Sequence, residues 1–237
     1  MTAELRETRA KLLEAERAAA WQDMAQRVAH EIKNPLSPIK IGLETLRKAH
    51  EKGSPLFEEI FDESTRAMLE EVQRIEHIVR EFREFARLPK ARPGALDLGE
   101  LVRDVAKLYA PSDVALELEI EEGLSAHADR EQISQVIGNL LVNAIDAVAG
   151  ARAPRILVSA ARARDGLVMR VDDNGPGVPE DARARIFEPY VTGKQKGTGL
   201  GLAIARRIVQ DHAGSVQVMA SPLGGARFEV RLPVSNS

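Results

Sequence analysis

A histidine, an acid and an amide lie close together near the start of the chain. His30, Glu31 and Asn34 belong to the run His-Glu-Ile-Lys-Asn-Pro-Leu, and the surrounding apolar steps of three, four and seven predict a helix with one buried side. His30 lies two positions from Val28 and from Ile32, about 200° around the helix axis from each, so its ring is predicted to face solvent. A neutral, exposed imidazole is a usable nucleophile, and the acid and the amide could orient it, remove its proton or position a water. The alternative is a solvated helix with an incidental histidine.

Composition narrows the classes of function. The chain has 237 residues and a formal net charge of −3, so no broad positive field favours nucleic acid or an anionic membrane. It contains no cysteine, which excludes disulfides, thiolate metal sites and thiol catalysis and fits a reducing compartment. No apolar run approaches the ~20 residues of a membrane span, and Met1 opens a charged segment rather than a signal peptide. We therefore expect a soluble chain.

The first half of the chain, to about residue 88, shows helical periodicity and no convincing strand. Residues 1–20 have apolar positions at seven-residue steps, which is typical of a coiled coil. The run Gly-Ser-Pro at 53–55 separates the first helix from a second apolar helical pattern at 61–86. Two long helices joined by a short turn form an antiparallel hairpin. One hairpin cannot enclose its own apolar side, so we expect two copies to form a four-helix bundle. A monomeric hairpin packed on the second half is the alternative.

Helix and strand patterns alternate after residues 88–94, whose prolines and glycine predict a hinge. This alternation predicts an α/β sandwich with one sheet covered by helices on one face. The predicted helices span residues 98–110, 130–149 (capped by Asp129) and 198–212. The predicted strands span residues 114–120, 155–163, 167–172, 215–220 and 226–232.

Polar and glycine-rich motifs of the second half could hold a nucleotide. Asn139 and Asn143 share one face of a predicted helix, and an amide oxygen can bind Mg²⁺ that also contacts phosphates. Asp173 could accept a hydrogen bond from an amine such as that of adenine, while Gly175 and Gly177 let the backbone approach a flat ligand. The alternative for the asparagines is a structural role in which they bond a nearby loop. The alternative for the run that begins at Asp173 is a generic turn.

A second glycine-rich run, Gly-Thr-Gly-Leu-Gly at 197–201, opens the last predicted helix. Glycines at a helix N-terminus expose amides that favour anions, although the spacing is neither the dinucleotide fingerprint nor a P-loop. The polar segment that begins at Phe187 leads into this run and contains Lys194. We expect a mobile lid over phosphates, with Lys194 as a point charge.

The order and spacing of these motifs resemble those of bacterial sensor histidine kinases over the whole chain. The matching segments are His30–Leu36 (phosphoacceptor box), Asn139–Ala147 (N box), Asp173–Gly177 (first glycine box), Phe187 onward (F box) and Gly197–Gly201 (second glycine box). The helical half most resembles sensors of the nitrogen-regulation type.

The resemblance implies a fold and a division into domains. The expected fold is an all-α helical hairpin that forms a dimeric four-helix bundle, followed by an α/β sandwich of the ATP-binding type shared with gyrase, Hsp90 and MutL. The expected segments are a signalling coiled coil (1–20), a dimerisation and histidine phosphotransfer domain (21–88), a hinge (89–94) and a catalytic ATP-binding domain (95–237).

The resemblance also implies the chemistry. ATP with Mg²⁺ would phosphorylate His30, with Glu31 as the base and Asn34 positioning the phosphoryl group, which then passes to an aspartate of a response regulator. Asn143 would coordinate Mg²⁺ and Asp173 would recognise adenine. The other expected ATP-binding residues are Asn139, Gly175, Gly177, Phe187, Lys194, Gly197, Thr198, Gly199, Leu200 and Gly201.

One position bears on the choice between kinase and ATPase. Related ATPases carry a water-activating acid four positions before the Mg²⁺-binding asparagine, and here that position is Asn139, whose amide is no general base. The kinase is therefore favoured over an ATPase machine, and the presence of all the boxes disfavours a pure ATP-binding scaffold. Asn34 is further expected to align water for dephosphorylation of the regulator, the alternative being a role in the forward step only.

We expect a cytoplasmic location, either as the cytoplasmic part of a membrane sensor or as a kinase signalled by a partner.

Overall fold

A computed structural model describes residues 28–86, 90–193 and 199–233. The described chain divides into a helical unit, residues 28–86, and an α/β unit made of the other two ranges. The predicted coiled coil at residues 1–20 lies outside the described residues. Within the described ranges, no helix combines the length and apolar character needed to cross a membrane.

The helical unit is the predicted hairpin. Helix α1 covers residues 28–51, and helix α2 spans Phe57–Ala86. At the end of α1, Gly53 adopts a φ of +55°; its N–H donates to the His50 carbonyl, and the next N–H donates to the Ala49 carbonyl. This pattern is a Schellman cap, which glycine favours because it has no Cβ. The predicted break at 53–55 is thereby confirmed.

The hairpin covers only part of its apolar side. Val28 and Ile78 are buried, whereas Leu43, Val72 and Val79 are 57%, 42% and 39% exposed in the single chain. Exposed apolar side chains in a row are unfavourable in water. The predicted four-helix bundle would cover them, and it stays a prediction.

The α/β unit contains seven strands and three α-helices in the described ranges. In chain order these are β1 (Gly94–Asp97), α3 (Leu98–Tyr109), β2 (Ala115–Ile120), β3 (Ser125–Ala128), α4 (Arg130–Val148), β4 (Arg155–Ala163), β5 (Gly166–Asp173), α5 (Gly201–Asp211), β6 (Ser215–Ala220) and β7 (Ala226–Leu232). The main sheet has the order β2-β4-β5-β7-β6, with β2 parallel to β4 and the other pairs antiparallel.

Alternation along the central strands separates the two faces of the main sheet. Val158 and Val171 point to the helix-covered face, where they are fully buried together with Ile137 of α4 and Ile204 of α5. The intervening residues point to the other face, where Glu229 accepts hydrogen bonds from arginines. The predicted sandwich, with helices on one face of one sheet, is confirmed.

Helix α4 is held at its N-terminus as predicted. The Asp129 carboxylate accepts hydrogen bonds from the N–H groups of Glu131, Gln132 and Arg92 at 2.7–3.1 Å. Burial favours the protonated acid, but these N–H bonds outweigh it and lower the pKa of Asp129. The buried His212 ring accepts from the Asp129 N–H at 3.0 Å, so the end of α5 is tied to the start of α4.

Two short strands were not predicted, and one predicted helix begins later than expected. The pairing of β1 with β3 was missed, because four-residue strands of mostly small residues carry almost no periodic signal. Gly94, assigned to the hinge, begins β1. The last helix begins at Gly201 rather than 198, since Gly199 has a φ of +69° that no helix accommodates. The division of the chain at 89–94 stays a prediction.

Candidate nucleotide site and phosphoacceptor helix

The Asp173 carboxylate is the most unusual polar group of the α/β unit. It ends β5 on the helix-covered face and is 1% exposed. Its Oδ1 accepts hydrogen bonds from the N–H groups of Gly175 at 2.9 Å and Ala226 at 3.1 Å. Its Oδ2 is buried and has no partner among the described residues. A buried acceptor without a donor is costly, so this oxygen marks a place where a ligand donor would bind.

Burial is the main reason that the pKa of Asp173 is raised, and the neighbouring Asp172 charge adds to it. The N–H bonds from Ala226 and Gly175 act in the opposite direction without cancelling the effect. A ligand that donates a hydrogen bond to Oδ2 would favour the ionised form.

Two glycines permit the close backbone approaches around this carboxylate. A Cβ on Gly175 would lie 2.6 Å from the Ala147 carbonyl oxygen of α4, and a Cβ on Gly225 would collide with Asp173 Oδ1. The predicted Gly177 has a φ of +73°, which L side chains rarely adopt. Gly225 was missed by the sequence reasoning, although its Gly-Gly pair before the last strand was a visible turn signal.

The two predicted asparagines of α4 form a chain of hydrogen bonds. Asn143 Nδ2 donates to the Asn139 carbonyl, and Asn139 Nδ2 donates to the Gly201 carbonyl, both at 2.9 Å. Asn139 therefore connects α4 to the first residue of α5. The bond made by Asn143 fixes which end of its amide faces the helix backbone.

The segment between the glycine motifs is anchored by buried apolar residues. Phe187 is 7% exposed and packs edge-on against Phe228 of β7, with ring centroids 6.3 Å apart. Leu200 is fully buried. Gly199 accepts from the Tyr190 N–H at 3.0 Å, and a Cβ on Gly199 would lie 2.7 Å from the Tyr190 carbonyl carbon. The remaining predicted residues, Lys194, Gly197 and Thr198, lie outside the described residues.

The described parts of both glycine motifs thus contact α4. Gly175 touches the C-terminal half of α4, and Asn139 joins α4 to Gly201. Asp173, which is separated from both asparagines by a strand hairpin in sequence, accepts from the Gly175 N–H of the first of these motifs. The N box and both glycine boxes are therefore neighbours.

The phosphoacceptor motif lies on α1 of the helical unit. His30 and Asn34 are exposed, while Glu31 is half-buried. Burial raises the pKa of Glu31, and the positive charge of Arg74 on α2 partly opposes this effect. The predicted solvent exposure of the histidine is confirmed, and the pKa of the carboxyl beside it lies above its ordinary value.

Comparison with known families adds to this geometry. Residues 128–236 match the family of histidine kinase-, DNA gyrase B- and HSP90-like ATPases, and residues 20–90 match the His Kinase A (phospho-acceptor) domain. The chain belongs to the histidine kinases. The two matches agree with the order of motifs and with the two units of the fold.

Individual relatives of this histidine kinase agree with the resemblance to nitrogen-regulation sensors. The nitrogen regulation protein NtrY of Azorhizobium caulinodans is 38% identical over 221 residues, which are 90% of this chain but 29% of that protein. The catalytic domain of histidine kinase ThkA is 31% identical, with a TM-score of 0.55 over 60% of this chain and 95% of that one. A structure of ThkA in complex with response regulator protein TrrA is 27% identical, with a TM-score of 0.74 over 99% and 68%.

Two residues that act on the candidate site residues, one in each unit, were invisible to motif reasoning. Ala226 supplies a backbone N–H to Asp173 from a position 53 residues later in the chain. Arg74 faces Glu31 from the second helix of the hairpin. Neither belongs to a motif, and only the fold brings them to their partners.

Proposed function

We propose that this chain is an ATP-dependent protein histidine kinase that phosphorylates its own His30 and passes the phosphoryl group to an aspartate of a response regulator. The observation that carries the proposal is the buried, unpartnered Oδ2 of Asp173, which suits the exocyclic amine of adenine. Family membership and the exposed His30 supply the acceptor side of the reaction.

The residues of the α/β unit fit a magnesium nucleotide. Asp173 takes the adenine amine, and Gly175 and Gly177 let the backbone approach the flat base. Mg²⁺, when bound, neutralises phosphate charge, and Asn143 is the residue that would hold it. Within the described ranges, no group of three His, Asp or Glu side chains could hold a metal by itself. A single amide oxygen suits Mg²⁺ that keeps waters and phosphates as its other ligands.

The backbone of the second glycine motif and the Lys194 charge are proposed to contact the phosphates. Gly199, Leu200 and Gly201 stand at the start of α5, where N–H groups and the helix dipole favour anions. Gly197 and Thr198 precede them in the same motif. We assign Phe187 to anchoring this segment, because its ring is buried against β7.

The transfer step is a displacement at phosphorus. A ring nitrogen of His30 attacks the γ-phosphorus, the bond from that phosphorus to the β–γ bridging oxygen breaks, and ADP leaves. Glu31 accepts the proton that the imidazole loses, and its raised pKa suits this role. Asn34 positions the phosphoryl oxygens through its amide. The phosphohistidine then gives the group to the carboxylate of a regulator aspartate.

Transfer to histidine is favoured over hydrolysis at the nucleotide site. The position at which related ATPases carry a water-activating acid is Asn139, whose amide donates to the Gly201 carbonyl at 2.9 Å. An amide is no general base, and this one braces the start of α5. Water therefore lacks an activating group there.

A second activity, dephosphorylation of the regulator, is proposed for Asn34. Its exposed amide lies one helical turn from His30, where it could align water against a phospho-aspartate. Alignment requires only hydrogen bonds, so His30 should be dispensable for it. Asn34→Ala should clear phospho-regulator much more slowly than the unaltered chain, while His30→Ala should retain activity; equal rates for Asn34→Ala and the unaltered chain would refute this role.

We further propose a homodimer, a response regulator partner and a cytoplasmic location. The exposed apolar side chains of the hairpin favour pairing with a second copy. The related kinase ThkA was solved in complex with response regulator TrrA, which supports a partner of that class. ATP is available in the cytoplasm, where the kinase would act as one segment of a longer sensor or under control of a partner.

The decisive experiment is labelling with γ-³²P ATP and Mg²⁺. The unaltered chain should acquire an acid-labile, base-stable label, and His30→Gln should acquire none while still binding ATP. His50→Gln is the matched control, because His50 is another exposed histidine of α1. Label that persists in His30→Gln would refute the assignment.

A further inference from the structure

Two adjacent aspartates at the end of β5 face opposite sides of the sheet. Asp173 points to the helix-covered face and to the proposed adenine site, whereas Asp172 points to the other face, opposite Arg227 of β7. Both are buried, with exposures of 1% and 0%. The proposed mechanism uses Asp173 only, so the fully buried charge of Asp172 requires its own explanation.

The Asp172 carboxylate binds both ends of one turn. Its Oδ1 accepts from Ser221 Oγ at 2.8 Å and from Arg227 Nε at 2.9 Å. The Arg227 Nε also lies 3.1 Å from Oδ2. Ser221 immediately follows β6, and Arg227 is the second residue of β7. The carboxylate therefore clamps the 221–225 turn, which connects the last two strands.

The serine hydroxyl extends this clamp into the turn itself. Ser221 Oγ accepts from the Leu223 N–H at 3.0 Å while donating to Asp172. The Ser221 N–H donates to the Gly225 carbonyl at 2.9 Å, and the Gly224 N–H donates to the Ser221 carbonyl at 3.0 Å. The conformation of the turn thus depends on the side chain that Asp172 holds.

The 221–225 turn also holds Asp173. The Gly225 N–H donates to the Asp173 carbonyl at 3.1 Å, and the Ala226 N–H donates to Asp173 Oδ1 at 3.1 Å. Because Oδ1 is engaged by this bond and by that of Gly175, the carboxylate is oriented with Oδ2 as the remaining acceptor. A shift of the turn would release the carboxylate to rotate.

We infer that Asp172 is a positioning residue for nucleotide recognition, which acts through Ser221 and the 221–225 turn to orient the carboxylate of Asp173. The inference rests on the proposed function, since it concerns the same adenine site. It assigns a role to a buried ion pair on the face of the sheet that carries no part of the nucleotide site. Replacement of a whole buried pair by apolar residues is often neutral for stability, although removal of one partner alone is destabilising, so net stability does not explain why the pair is present.

The chain offers a matched control on the same face. Glu229 is 3% exposed and is held by Arg170, Arg231 and Gln217, so it is also a buried carboxylate bonded to arginine. Among the described contacts, it has none with the 221–225 turn. Glu229→Ala therefore reproduces the loss of a buried ion pair without loss of the clamp.

The test measures the affinity of the full chain for ATP and GTP by calorimetry, together with autophosphorylation kinetics. Asp172→Ala should weaken ATP binding about tenfold, the equivalent of one hydrogen bond, and leave the weaker GTP binding unchanged. KM for ATP should rise, while the rate at saturating ATP stays within about twofold. Glu229→Ala should lower the melting temperature without changing the ratio of ATP to GTP affinity.

Serine variants test the same clamp should Asp172→Ala fail to fold. Ser221→Ala should weaken ATP binding in the same direction, and Ser221→Thr, which retains the hydroxyl, should restore it. Unchanged ATP affinity in Ser221→Ala would overturn the inference. So would an Asp172→Ala variant that loses ATP and GTP affinity equally, with the same losses in the Glu229→Ala control. Failure of the unaltered chain to bind ATP would instead overturn the proposed function itself.

Discussion

Replacement of Asp173 by asparagine should abolish the preference for adenine without unfolding the protein. In the structure, Oδ1 accepts from the N–H groups of Gly175 and Ala226, so the oxygen of an asparagine must occupy that position. Its Nδ2 then replaces Oδ2 and points a donor at the donating amine of adenine. The opposite orientation would point Nδ2 at two backbone donors, so neither orientation of the amide is satisfied.

The size of the effect follows from the bond that is lost. A hydrogen bond to a charged group contributes about 1.5–3 kcal/mol, and about 1.4 kcal/mol corresponds to a factor of ten. ATP affinity should therefore fall roughly 10- to 150-fold. Guanine carries a carbonyl oxygen where adenine carries the amine, so the new donor should not weaken GTP binding in the same way.

Stability should behave differently from affinity. Because burial raises the pKa of Asp173, the ionised form is disfavoured in the folded protein, and a neutral amide removes that cost. Asp173→Asn should thus melt no lower than the unaltered chain in the absence of nucleotide. Active-site residues often carry such a stability cost.

Calorimetry with a non-hydrolysable ATP analogue and its GTP counterpart, together with thermal melting, measures these effects. Asp165→Asn is the control, because it removes the same charge from the exposed turn between β4 and β5. ATP affinity within about twofold of the unaltered chain, a difference below the weakest expected bond, would refute the assigned role. A lowered melting temperature would refute the reasoning about burial.

Three further outcomes are expected. ATP affinity should decline on acidification at a pH above the usual carboxyl range, because the raised pKa of Asp173 brings protonation to higher pH; Asp173→Asn should lack this decline in a calorimetric pH series. Gly175→Ala should destabilise the α/β unit by at least about 1–3 kcal/mol and weaken ATP binding, since its Cβ would lie 2.6 Å from the Ala147 carbonyl oxygen; urea unfolding measures the loss. Val72→Glu should make the full chain monomeric in light scattering, whereas Glu70→Gln, also on the surface of α2, should leave the dimer intact.

Local signals in the sequence were sufficient for most of the fold. The sequence pattern placed β6 and β7 at the predicted residues, and the Asp129 cap marked the start of α4 at Arg130. The exposure of His30 followed from helix geometry alone. Each of these features depends on residues within a few positions of one another, and such short-range patterns are readable without the fold.

The arrangement of the site was decided by tertiary structure. The sequence identified Asp173 as a polar residue among glycines, but the division of its oxygens into a bound Oδ1 and an unpartnered Oδ2 requires Ala226, 53 positions later. Likewise, Asn139 was predicted as a ligand residue, and its bond to Gly201 is visible only when α4 and α5 are packed together. Sequence alone determined which chemical groups the chain offers, because periodicity and turn signals are local. Which donor meets which acceptor depended on contacts between distant segments, and those contacts form only when the sheet and its helices close around a common core.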